Sequence, residues 1–191
     1  MIRAFVGVPI PQSAVHALTL AQAGLDVGHP VPPENFHITL AFLGEHQEPV
    51  IEEIADALAL INAEAFSIQI SGLGTFGSAP RILFADIPPT QPLSSLRKQV
   101  RRAARQSGID LPHEKYHPHV TLARFGRGLV GDDAEFLRAH IARRIGQIDA
   151  QFNATEFALF ESHLGRAGPI YTALASFPLT PSTTSGASIS S

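Results

Sequence analysis

No cysteine occurs among the 191 residues, which removes disulfides, thiolate nucleophiles and cysteine-bound metals from consideration. No apolar run approaches the roughly 18 residues needed to cross a bilayer. The first residues, MIRAFVGVPIP, carry one basic side chain and then the turn formers Pro9 and Pro11, without an apolar core and small-residue cleavage site. They are expected to be the first strand of a cytoplasmic protein. No nucleophile-elbow word supports serine hydrolysis. GLGTFG, residues 72–77, lacks both a following Lys-Ser/Thr and a helix start, so it is expected to be a turn and not a phosphate loop. Charged residues are also scarce, 16% against 45% hydrophobic, a globular balance far from that of disorder. The net charge of −3 is unevenly spread: residues 1–96 sum to −7 and residues 97–191 to +4, so an anionic ligand is drawn to the second half.

Apolar periodicity orders the chain. Strand patterns run over 2–8, 36–44, 66–72, 81–87, 119–125, 152–161 and 170–177. Amphipathic helices are expected over 14–25 with Ser13 as N-cap, over 49–62, over 91–107 ended by Gly108, and over 132–144. The strands at 66–72 and 81–87 are expected to pair as an antiparallel hairpin. Mixed strands and helices with several hairpins make the fold class α+β. PSTTSGASISS after Thr180 cannot bury enough apolar area to order itself, so residues 181–191 are expected to be a disordered tail.

Two words stand out. FHITLAFLG, from Phe36 to Gly44, and HVTLARF, from His119 to Phe125, both contain His-x-Thr-Leu in a strand context. With nine His, ten Thr and nineteen Leu, chance yields roughly 0.05 such words in a chain of this length, so a pair calls for explanation. In a strand, His37 and Thr39 share one face, as do His119 and Thr121. Phe36, Ile38, Leu40 and Phe42 are expected on the opposite, covered face. Displacement at phosphorus needs a base for the incoming water and an acid for the departing oxygen, which two imidazoles can supply near neutral pH. A Thr hydroxyl two residues along can donate to a non-bridging phosphate oxygen. The pair follows from this chemistry; which histidine is acid and which is base does not.

The paired HxTL words, with HPHVTLAR for the second, PRILFAD between them and ESHLGRAGPIYTALASFPL near the end, resemble the 2H phosphoesterase superfamily, and within it the bacterial and archaeal RNA 2′,3′-cyclic phosphodiesterases, historically called 2′-5′ RNA ligases. The likeness runs from the first strand to about Leu179. It implies a bilobal, pseudo-symmetric fold over residues 1–180, mostly antiparallel sheets around a central cleft with helices outside. It also implies metal-independent, cofactor-free opening of RNA or nucleotide 2′,3′-cyclic phosphates to 2′-phosphates by a monomer, with reversible 2′-5′ joining as a side activity. Carried onto matching positions, His37 becomes the acid that protonates the 3′ oxygen, His119 the base that activates water, and Thr39 and Thr121 the phosphate holders.

Other residues invite weaker readings. His113, His117 and His119 could chelate zinc, but Pro118 intervenes and Glu114 is the one carboxylate close in sequence. The Arg97–Arg105 cluster is an RNA-backbone track or a solvated helix face, with the solvated face ahead. Arg124 suits a phosphate clamp, yet regular alternation turns it away from His119, so it contributes only if the strand twists or bulges. Phe76, Phe84, Tyr116 and Phe125 are aromatic enough to stack a base, although a core role is the better expectation for most. Two further readings stay open: an RNA-binding module with little turnover, and a phosphoesterase for another cyclic or 2′-5′ linked nucleotide.

Overall fold

The computed structural model describes residues 1–144, 146–165 and 168–182, and they form an α+β fold. In chain order the elements are β1 (Ile2–Pro9), α1 (Gln12–Gln22), β2 (His29–Pro30), a 3-10 turn (Pro33–Asn35), β3 (His37–His46), α2 (Glu48–Ala59), β4 (Phe66–Ser71), β5 (Leu73–Thr75), β6 (Ile82–Asp86), α3 (Gln91–Gln106), β7 (His119–Arg124), α4 (Gly131–Arg144), β8 (Asp149–Ala154), β9 (Glu156–Gly165) and β10 (Gly168–Pro178). One sheet runs β10-β9-β1-β3-β7-β6-β5, with β2 alongside β7, and every neighbouring pair in it is antiparallel. β4 and β8 form a separate antiparallel pair.

The two lobes therefore share one continuous sheet, joined where β3 meets β7 at the Ile38–Val120 pair. The helices cover it because their apolar stripes have nowhere else to go: Ile54 and Leu58 of α2 and Leu93, Leu96 and Val100 of α3 are almost fully buried. Truncating Leu58 to Ala would cost about 2–5 kcal/mol. α3 lies against β3 and α2 against α3. α4 is fastened to α1 by His140, 1% exposed, whose Nε2–H donates to the Ala21 carbonyl at 2.8 Å, a core histidine satisfied by backbone.

Several expectations are corrected. α1 begins at Gln12 behind Pro11, and Ser13 is not its cap, because the Pro11 carbonyl already accepts the first helical N–H groups, from Ala14 and Val15. The strand at 66–71 does not pair with the one at 82–86. It pairs with β8, while β6 pairs with β5, a strand inside the glycine-rich stretch expected to be a turn. Gly74 makes that pairing fit, since a Cβ there would sit 2.6 Å from Cζ of Phe84. The apolar run at 152–161 is two strands broken at Thr155, one in each sheet. Of the expected polar tail, residues 183–191 lie outside the described residues. No helix of the described residues is long and apolar enough to cross a membrane.

Candidate active site

Antiparallel pairing of Ile38 with Val120 sets His37 opposite Thr121 and His119 opposite Thr39, so the four motif side chains share one face around a local two-fold axis. The imidazoles lie on the diagonal of this square, one strand across and two residues along, about 8 Å by strand spacing. Each ring is aimed in the same way. His37 Nδ1 lies 2.7 Å from the Asn35 carbonyl and His119 Nδ1 lies 2.8 Å from the His117 carbonyl, in both cases two residues back. A carbonyl only accepts, so Nδ1 carries the proton and Nε2 is left for the cleft. Neither Nε2, nor the hydroxyls of Thr39 and Thr121, has a hydrogen-bond partner among the described residues.

Both strands then depart from regular alternation at the same place. In β3 the register against β1 skips Leu40, and in β7 the register against β6 skips Leu122. Buried residues become adjacent, Leu40 with Ala41 and Leu122 with Ala123, and the residue after each pair swings to the histidine face. This carries Arg124 into the cleft, where its charge is felt by both His37 and His119, and it makes no ion pair among the described residues. The same shift corrects the expected faces of β3. Ala41 and Leu43 are core, whereas Phe42 is 51% exposed and stacks on Phe5, which packs against His37. The β7 bulge has a visible support: the Leu122 carbonyl accepts from the backbone N–H of Val31 at 2.8 Å and from Gln22 Nε2 at 2.7 Å.

The surroundings of the two imidazoles differ. His37 packs between the rings of Phe5, at 4.6 Å, and Tyr171, edge-on at 5.1 Å. The strand beside it allows no more, because a Cβ on Gly7 would meet the Ile38 carbonyl at 2.9 Å. Burial pushes the His37 pKa down to about 4, against the Asn35 hydrogen bond that raises it, and Arg124 and His119 lower it further. His119 is lowered as well, chiefly by burial, but it has a carboxylate in reach: Asp86 is its register partner and raises its proton affinity. The carboxylate oxygen Asp86 Oδ1 lies 2.8 Å from His117 Nε2. Phe76 and Phe84 meet both His117 and His119 at ring-centre distances of 5.2–5.3 Å.

Asn35 carries no signal in the sequence, and the contacts of Tyr116 and the α3 arginines are set by the fold. Asn35, 6% exposed, orients His37 through its backbone and donates from Nδ2 to the Pro169 carbonyl at 2.7 Å, tying the β9–β10 hairpin to the site. Tyr116 donates its hydroxyl to the Thr39 carbonyl at 3.2 Å and lies 4.2 Å beneath the Arg97 guanidinium; burial pushes its pKa up. Arg97 also pairs with Glu114, and Arg101 is buried against the Leu111 and Pro112 carbonyls. Part of the α3 basic cluster is thus structural, with Lys98, Arg102 and Arg105 left exposed. His113 is exposed beside that cluster and His117 faces Asp86; among the described residues no three His, Asp or Glu side chains are placed to hold a metal ion. A cleft of about 430 Å³ is lined by His37 and Phe160 and a second of about 310 Å³ by Arg124 and His29, with Asn35 and Tyr171 in both walls and His119 in neither.

Residues 11–166 match the family described as the 2′-5′ RNA ligase superfamily. A curated RNA 2′,3′-cyclic phosphodiesterase of Bacillus subtilis is 33% identical over 182 residues, covering 92% of this chain and 95% of that one. A protein of the same name from Geobacillus stearothermophilus is 31% identical over 183 residues, and there the chain spans 56% of the relative's length. The solved apo form of E. coli LigT shares the fold with a TM-score of 0.75 at 22% identity, covering 94% of this chain and 98% of that one.

Proposed function

The chain belongs to the 2′-5′ RNA ligase superfamily, and from that premise we propose that it opens 2′,3′-cyclic phosphates on RNA ends or nucleotides to 2′-phosphates by acid-base chemistry between His37 and His119. One observation carries the reading: two imidazole nitrogens, two hydroxyls and one guanidinium, none with a partner among the described residues, share a single face, with no carboxylate among the five. That set suits a phosphate, with donors for its oxygens and a proton carrier on either side of phosphorus.

In the step proposed, His119 Nε2 takes a proton from water as its oxygen attacks phosphorus. The bond from phosphorus to the 3′ oxygen breaks, and His37 Nε2–H protonates that oxygen, leaving the phosphate on O2′. Thr39, Thr121 and Arg124 hold the non-bridging oxygens. The acid role of His37 comes from family likeness. Burial holds His37 toward its neutral form in the free protein, so the role requires the substrate's negative charge, which raises the proton affinity of an adjacent imidazole. The proton transfers need no metal. With a 5′-hydroxyl RNA end in place of water as the nucleophile, the same displacement breaks the bond to the 3′ oxygen and forms a 2′-5′ bond without ATP, a step that is reversible.

The test is to supply several nucleoside 2′,3′-cyclic phosphates in EDTA and identify the product. A nucleoside 2′-phosphate is expected. Salt-dependent RNA binding with no turnover of any of these substrates would replace the proposal with the binding-module reading.

A further inference from the structure

The phosphate face accounts for one end of the substrate and leaves open what receives the nucleobase. In a 2′,3′-cyclic phosphate the base sits one ribose away from phosphorus, so its platform should lie one ring beyond the motif histidines. Among the four aromatics singled out in the sequence, Phe84 and Phe125 are buried at 4% and 6% exposure, and the Tyr116 hydroxyl is spent on the Thr39 carbonyl. Phe76 differs. It is 41% exposed on the loop between β5 and β6, stacks on Phe84 at 4.4 Å and 26°, and presents its neighbourhood edge-on to His119 at 5.3 Å and 78°.

Stacked on Phe84 and accessible beyond it, beside the imidazole, Phe76 has the form of a stacking platform. The alternative on the other flank is less suitable. Phe42, though 51% exposed, has the Arg3 guanidinium over its ring at 5.5 Å and Phe5 stacked on it at 5.9 Å. Tyr171 is packed edge-on against both Phe5 and His37. The placement of Phe76 is built in, because Gly74 leaves the space that the Phe84 ring occupies.

We propose that Phe76 is the base-stacking residue of this site, making the substrate a nucleoside phosphate and not a bare sugar phosphate, with Phe84 as its backing. The inference rests on reading the site as a phosphate grip. Stacking recognises the π-face that every base has, so it predicts tolerance of base identity with a requirement that a base be present.

The experiment measures the dissociation constants of adenosine 2′-monophosphate and ribose 2-phosphate by calorimetry, for the unaltered protein and for Phe76→Leu and Phe76→Trp, alongside turnover of adenosine 2′,3′-cyclic phosphate. Leu keeps an apolar contact with His119 but has no π-face. Phe76→Leu is expected to weaken the adenosine ligand roughly 5- to 150-fold, the range of a lost base–aromatic stack, and the ribose ligand far less, with Phe76→Trp retaining the difference. Equal weakening of both ligands, or a Trp variant as poor as Leu, overturns the platform while leaving the phosphodiesterase reading intact. A base-dependent loss in a protein that turns over no cyclic phosphate supports the platform and rejects the hydrolytic reading.

Discussion

His37 stands among Phe5, Phe160 and Tyr171, with Pro9 facing it from the neighbouring strand, whereas His119 stands among Phe76, Phe84 and His117, with Asp86 in the corresponding place. Both sides share the ring-orienting carbonyl two residues back and the register skip at the motif leucine. A repeated scaffold thus holds two identical groups in unlike dielectric settings, one apolar and one with a carboxylate beside it. That is a physical route to giving two histidines different proton affinities.

The largest test removes the imidazoles. His37→Gln and His119→Gln should each lower kcat by about 10²- to 10⁴-fold with circular dichroism unchanged, the usual worth of a positioned acid or base. Full activity in either variant would refute the two-imidazole mechanism.

Next comes the pair of residues that the bulges bring to the site face. Arg124→Ala should lower kcat/KM roughly 10- to 150-fold through lost charge-assisted hydrogen bonds, and Phe42→Ala should lower it far less. Similar losses in both would mean that the bulge, and not the guanidinium, matters.

Asp86 separates the lobes by charge. With both imidazoles displaced downward by burial, kcat/KM should be greatest on the acid side of pH 6.5. Asp86→Asn should shift the His119 ionisation still lower, because it deletes the negative charge that opposes burial, Arg124 and His117, and should leave the His37 ionisation near 4. Resolving the two imidazoles by NMR titration would check both. A shift in both rings, or in neither, breaks the distinction between the lobes.

The smallest effect concerns stability. His37 titrates at about 4 when folded and near 6.5 when unfolded, so the unfolded chain binds more protons between these values. The contribution is full above pH 6.5 and is lost as pH falls toward 4. His37→Gln should flatten that acid-side decline in thermal denaturation midpoint; an unchanged slope would show that His37 does not cause it.

Much of the site was legible because strand periodicity is local. Alternation alone put His37 with Thr39 and His119 with Thr121, and the rarity of two HxTL words joined the halves. It failed at Phe42 and Arg124, where a bulge adds a residue, and nothing in LARF or LAFL announces a bulge. Leu122 is held out of register by Gln22, a hundred residues away, and by Val31. Asp86 and His117 were equally silent, since their meeting depends on which strand lies beside β7.

The sequence by itself determined the α+β class, most helix and strand positions, the apolar core and the paired histidine-threonine words, all of which follow from side-chain period and residue chemistry within one segment. Tertiary structure alone decided that β4 joins β8 instead of β6, that β3 and β7 meet at one residue pair, that Arg124 turns inward, and that Asp86 stands beside one histidine while Pro9 stands beside the other. Each of these depends on hydrogen bonds between residues far apart in the chain, and such partners are chosen by how buried faces fit together when the sheet assembles.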